Sequence, residues 1–193
     1  MSRSDAGPTG RKDAIHALVR NVVNTRYEDL SQGAMNATKK FILDAFGVAI
    51  AGTLAPGVAE TLAVLGDWGG KAESTVLVSG ERLPAPSSAM MNSFLMHNQE
   101  FDSVHDLAVV HAFTTVLPVA LAVAEAKGGV TGRELLTAVA LGVDVACWIG
   151  ISSRSPIAHF RPGTVGAFGA VAAAGKISGL DQATLTHAMG IVY

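Results

Sequence analysis

TTVLPVALAVAEAKGGVTGRELLTAVALGVDVACWIGI, Thr114 to Ile151, decides the fold. Apolar residues dominate both halves, and neither half shows the strict alternation of a half-buried strand. The first half reads as a helix from Thr114 to Ala126, with Pro118 in or near its first turn. Gly128 and Gly129 stop it. T-G-R-E (Thr131 to Glu134) then has the spacing of a capping box, which satisfies two otherwise unpaired backbone donors at a helix start. The second helix is therefore expected from Thr131 to about Ile151, with Asp144 on it. Two long apolar helices joined by a glycine turn predict a helical core.

The same pattern extends outward. Residues 1–12 read as a disordered leader. Asp13 to Thr25 carries Ile15, Leu18, Val19, Val22 and Val23 on one stripe, with Asp13 as candidate N-cap. Gln32 to Gly52 reads as a second helix, apolar on nearly every face of its second half and so expected to be buried, Asp44 excepted. A short helix is expected near Val58 to Leu65. Ser74 to Ser79, a Gly80–Glu81 turn and Arg82–Leu83 read as a small hairpin. Pro84 and Pro86 end it, and Ser87 or Ser88 is placed to cap a helix through Asn98. A polar loop from Ser152 to Arg161 leads to a Gly- and Ala-rich helix, Thr164 to Ile177, whose small residues let neighbours approach closely. Asp181 caps a last helix. The pattern runs to Tyr193 without Gly, Pro or a polar tail, so residues 13–193 are expected to be part of a larger helical domain. The fold class is mainly all-α, with one small hairpin.

Composition narrows the function. Hydrophobic residues make up 49% and charged residues 16% of the 193, below the usual quarter for charge. Large apolar faces are therefore expected to meet something other than water. A net charge of −2 with scattered Lys and Arg gives no nucleic-acid surface. No apolar run reaches the ~20 clean residues that span a bilayer, because Pro118, Glu125 and Asp144 interrupt them. There is no secretory h-region, so a cytoplasmic location is expected. Cys147 cannot form an internal disulfide and reads as a small core residue.

Chemistry concentrates in HNQEFDSVHDLAVVH, His97 to His111, which holds three of the six histidines together with Glu100, Asp102 and Asp106. His97, His105 and His111 lie eight and six residues apart. Neither spacing places two ligands on one helical face, so no metal site is expected. Histidine can exchange a proton at neutral pH, and a neighbouring carboxylate can hold its tautomer. An acid–base pocket and a solvated loop both fit. A second feature is FRPGTVGAFG, Phe160 to Gly169. Arg161 before a helix start at Thr164 could receive a carboxylate or phosphate, or be an ordinary capped loop. No G-x-S-x-G elbow and no P-loop occur. Asp44 and Asp144 read as structural carboxylates.

Four stretches together resemble the N-terminal half of the MmgE/PrpD family. ATKKFILDAFGVAIAGT (Ala37 to Thr53) resembles an early family helix. SSAMMNSFLMHNQEFDS (Ser87 to Ser103) resembles A-x-x-N-G-x-x-x-H-x-x-D-[FY]-D-D. HDLAVVHAFTTVLPVALAVAE (His105 to Glu125) resembles the H…V-L-P run that follows. HFRPGTVGAFGAVAAAGKISGLD (His159 to Asp181) resembles F-[HR]-P-T-x-x-x-G-x-F-G…LGLD. The resemblance implies a helical domain with a separate lid domain, a homodimer, no cofactor, no metal, and small di- and tricarboxylic acids as substrates. It implies a lyase of the 2-methylcitrate dehydratase type. A cis-aconitate-type decarboxylase, an epimerase and a non-catalytic helical interaction module are the alternatives. By position it implies that His111 handles the proton, supported by Glu100 and Asp102. Arg161, Thr164, His105, Asn92 and His97 fall on the substrate side. Arg161 occupies a position that is His in the decarboxylases and often Arg elsewhere. Departures are Glu100 for Asp, Ser103 for an acid, Val104 for Thr, and Ala112–Phe113 for Pro-Ser. Phe113 is expected to fill space near a substrate. Without a lid, residues 1–193 alone are expected to be inactive.

Overall fold

A computed structural model describes residues 13–153 and 160–192. The leader expected over residues 1–12 and most of the loop expected from Ser152 to Arg161 lie outside them. The elements are α1 (Ile15–Asn24), a 3-10 turn (Tyr27–Asp29), α2 (Gln32–Gly52), α3 (Val58–Asp67), β1 (Ser74–Thr75), β2 (Arg82–Leu83), α4 (Ala85–His97), α5 (Ala112–Ala126), α6 (Gly132–Ser152), α7 (Arg161–Ser178) and α8 (Gln182–Ile191). The fold is mainly all-α. β1 and β2 pair antiparallel, Ser74 with Leu83 and Thr75 with Arg82.

The capping box at α6 forms as its spacing demands. Thr131 Oγ1 accepts from the Glu134 N–H while Glu134 accepts from the Thr131 N–H at 2.7 Å. Asp181 caps α8 through the Thr184 N–H at 2.8 Å. The Gly128–Gly129 turn has φ of 94° and 103°, a region that favours glycine, so α5 ends and α6 returns against it.

The core is a seam of α5, α6 and α7. Gly142 and Gly169 face each other across α6 and α7. A Cβ at Gly169 would lie 2.6 Å from the Gly142 carbonyl oxygen, and one at Gly142 would lie 2.7 Å from that of Gly169. Gly166 packs against the Thr115 side chain, whose hydroxyl oxygen a Cβ would meet at 2.7 Å. The Gly- and Ala-rich composition of α7 is thus what lets three apolar helices close on one another, burying Val116, Leu117, Ala138, Val139 and Ala173. At the far edge, Lys176 donates to the carbonyls of Val23 and Thr25 at 2.9 and 2.6 Å, tying α7 to the end of α1.

Several expectations are corrected. α6 is by length and composition apolar enough to cross a membrane, contrary to the sequence reading. Here its buried face packs against α5 and α7. The second half of α2 is not buried on all sides: Leu43 and Ile50 are 74% and 61% exposed. Asp44 lies on that same outward face. α5 begins two residues before Thr114, so Pro118 sits in its interior, where it removes the hydrogen bond to the Thr114 carbonyl. Ser87 and Ser88 lie inside α4, which Pro84 introduces. Ser88 Oγ instead donates to the Thr75 carbonyl at 2.7 Å, fixing the hairpin. Asp13 caps one step early, accepting from the Ile15 N–H at 3.0 Å. Gly52 ends α2 as expected, but the reason is packing: a Cβ there would lie 1.9 Å from the Leu95 carbonyl oxygen.

Candidate acid–base site

The segment between α4 and α5 folds back on itself. α4 ends at His97, and the chain turns with the Glu100 N–H bonded to the His97 carbonyl at 2.9 Å. His105 and Val110 form an isolated antiparallel bridge, and the Val109 N–H closes the turn on the His105 carbonyl at 2.8 Å. Glu100 and Val109 both have φ of 51°. A β-branched residue in this region is an outlier. It persists only where the surroundings hold it. Ala108 is the anchor. It is fully buried, a Cβ at Gly150 would lie 2.7 Å from its carbonyl oxygen, and Arg161 donates to that oxygen at 3.4 Å.

This fold-back brings His97, at the end of α4, and His111, at the N-cap of α5, onto one carboxylate. Asp102 has a side chain only 3% exposed. Its Oδ1 accepts from His97 Nδ1 and its Oδ2 from His111 Nδ1, each at 3.0 Å. The Thr114 hydroxyl donates to Oδ2 as well. The two imidazole rings are 4.9 Å apart and inclined at 61°. A buried carboxylate must be paired, and here three donors surround it. Thr114 lies in the first turn of α5, whose partial positive charge also favours an anion. With Nδ1–H committed to Asp102, each neutral imidazole carries its lone pair on Nε2. Among the described residues no hydrogen bond engages Nε2 of His111, whereas His97 Nε2 lies 3.5 Å from Glu100 Oε1. The imidazoles are 28% and 21% exposed, so they remain reachable.

Four residues read from the sequence thus meet: His111, Asp102, His97 and Glu100. Glu100 lies beside Nε2 of His97 rather than beside His111. The others have different surroundings. Asn92 is buried and committed to the hairpin, accepting from the Leu77 N–H at 2.7 Å and donating to the Thr75 carbonyl at 3.0 Å. His105 is exposed, accepts from the Ala108 N–H at 3.1 Å, and borders a groove shared with Asp144, Cys147, Phe41 and Phe113. Arg161 is the first residue of α7, so the expected helix start at Thr164 moves back one turn. The Thr164 N–H and hydroxyl are both bonded to the Phe160 carbonyl at 3.0 Å. That leaves no Thr164 donor to receive an anion. Phe113 borders the same groove as His105, from the core side. It is buried in the core, 5.2 Å from the Phe41 ring.

Sequence reasoning missed Thr114 as a site residue. It lies one turn inside a helix and 12 positions from its partner, a relation no local pattern displays. The metal question also changes. The ligand atoms of His97, Asp102 and His111 all lie within 4.8 Å of one another, although their spacing failed the helical-face test. In the adjoining groove, burial raises the Asp144 carboxyl above its ordinary value, partly offset by a hydrogen bond with Trp148. Burial and the Asp144 charge push the Cys147 thiol up to about 11, which disfavours the nucleophilic thiolate.

A helical scaffold that holds two histidines on one buried carboxylate defines a candidate acid–base site, with both imidazoles partly exposed. Comparison with known proteins gives the particular family. The model of the MmgE/PrpD N-terminal domain matches residues 16–193, and the chain belongs to that family. Among curated relatives, cis-aconitate decarboxylase of Mus musculus is 29% identical over 188 residues, covering 93% of this chain and 38% of the relative. Cis-aconitate decarboxylase of Homo sapiens is 28% identical over 186 residues, covering 92% and 37%. The chain therefore spans under two-fifths of the length of these relatives.

Proposed function

We propose that this chain supplies the acid–base half of a lyase acting on a small di- or tricarboxylic acid, with His111 as the proton carrier. The observation that carries this is the Asp102 carboxylate bonded to Nδ1 of His111 at 3.0 Å. It fixes the tautomer and leaves Nε2 to exchange a proton with a carbon next to a carboxylate. Asp102 also stabilises the imidazolium when His111 takes a proton. Thr114 is a positioning residue for Asp102.

The relatives named cis-aconitate decarboxylase favour decarboxylation of a cis-aconitate-like acid. In that reaction the bond between carbon and the departing carboxylate breaks, CO2 leaves, and the electron pair remains on carbon. The imidazolium of His111 delivers the proton that quenches it. Stabilising that developing negative charge is the largest demand on such a site. Arg161, the one Lys or Arg bonded to the site loop among the described residues, is placed to attract the substrate's carboxylates.

Dehydration of a 2-methylcitrate-like acid is a second reading. Arg161, standing where the decarboxylases have His, favours it. There Nε2 of His111 would remove the proton next to a carboxylate, and the hydroxyl would leave as water after gaining a proton. Incubating the full-length product of this reading frame with cis-aconitate, 2-methylcitrate and related acids, and following CO2 and unsaturated products, separates the two. His111→Gln is expected to lower turnover by at least 100-fold. Activity that survives His111→Gln would remove His111 from the mechanism.

A further inference from the structure

We propose that His97, Asp102 and His111 also form a binding site for a divalent transition-metal ion such as zinc or cobalt, taken through both imidazole Nδ1 atoms and an Asp102 oxygen. Two imidazole nitrogens and one carboxylate are a donor set for such ions. Hard ions such as magnesium and calcium prefer oxygen alone. The spacing supports it. Ligand atoms bound tetrahedrally at 2.0–2.1 Å lie roughly 3.3 Å from one another. The two Nδ1 atoms are each 3.0 Å from an Asp102 oxygen, and all three ligand atoms fall within 4.8 Å. Admitting an ion needs only small movements of two rings. Those rings are inclined at 61°, so their Nδ1 atoms approach from different directions, as separate corners of a coordination sphere must.

The surroundings supply the outer support. Asp102 is buried and held by the Thr114 hydroxyl, the kind of contact that orients a ligating carboxylate. The imidazoles are partly exposed, which gives an ion a path and leaves its remaining positions to water. The proton balance is definite. Each neutral imidazole gives up Nδ1–H to expose the ligating lone pair and gains a proton on Nε2 through solvent, so the pair loses no net proton. Metal binding therefore converts both histidines from the Nδ1–H to the Nε2–H tautomer. That state has no basic Nε2. Metal and proton-transfer states exclude each other at this site, and the binding itself does not depend on the reaction proposed above.

The test uses tag-free, chelator-treated protein titrated with CoCl2, followed by visible absorption, with ZnCl2 as competitor. One cobalt ion per chain is expected, displaced by zinc. His97→Gln, His111→Gln and Asp102→Asn are each expected to weaken binding by at least 10-fold, while His187→Gln, on the exposed side of α8, leaves it unchanged. A second readout needs no variant. Imidazole 15N spectra of the wild-type chain should show His97 and His111 change from Nδ1–H to Nε2–H on adding zinc. Absence of saturable binding overturns the proposal. So does binding that the three substitutions leave intact, or a spectrum in which neither histidine changes tautomer.

Discussion

The glycine seam of α5, α6 and α7 and the fold-back between α4 and α5 are built on opposite principles. The seam is apolar and local in its logic. Gly142 and Gly169 let α6 and α7 touch through backbone, and Gly166 makes room for the Thr115 side chain. The fold-back is polar and non-local. Residues from the end of one helix, a loop and the start of another converge on Asp102. Two non-glycine residues there sit at positive φ. The seam provides stiffness, and the loop spends some of it on strained backbone and a buried charge. Contact passes between them at Ala108, which the end of α6 and Arg161 both touch.

Substitutions rank the two regions. Gly169→Leu should be the most damaging. Its Cβ would meet the Gly142 carbonyl and the Ala146 methyl at 2.6 and 2.9 Å, and overpacking of this kind costs about 3 kcal/mol or more. Urea unfolding measures it, and a loss under 1 kcal/mol would mean the seam can open. Asp102→Ala leaves two imidazole N–H groups and the Thr114 hydroxyl without their acceptor. A loss of about 2–3 kcal/mol is expected, while a neutral result would show that the loop does not depend on its carboxylate. Val109→Gly acts in the other direction. Relief of a left-handed valine outweighs the flexibility added to the unfolded chain, so a gain of about 0.5–1 kcal/mol is expected. A loss would show that the Val109 side chain contributes more than its backbone costs.

The smallest effect concerns the groove beside the seam. Asp144 has its folded value raised by burial, so between its ordinary value of 3.8 and that raised value the folded chain holds more protons than the unfolded one. Stability should then fall as pH rises through this window. Asp144→Asn should flatten that slope and slightly raise Tm at neutral pH. A shallower acid-side loss in the variant would contradict the sign.

The seam was legible in the sequence because its signals are local. T-G-R-E, Gly128–Gly129 and the small residues of α7 each act within a few positions, and α2 runs over the span expected, Gln32–Gly52. Errors arose where another part of the chain intervened. Ser88 turned from capping its helix to bond the hairpin. The outward face of α2 carries Leu43 and Ile50, which apolarity alone read as buried. In the site, the family resemblance points to His111 and Asp102 but not to the fold-back that joins them. Spacing tests for ligands ask about one helical face, whereas His97 and His111 come from two helices. Thr114 had no signal because its partner lies across the loop.

The central claim is that Asp102 holds His97 and His111 through Nδ1 and leaves Nε2 as the proton-accepting atom. Long-range 1H–15N correlation spectra of the metal-free chain, assigned with His97→Gln and His111→Gln, read the tautomers directly. The account predicts that both neutral rings are Nδ1–H in the wild type, and that Asp102→Ala mixes the tautomers at both. An Nε2–H ring at His111 in the wild-type chain would contradict it.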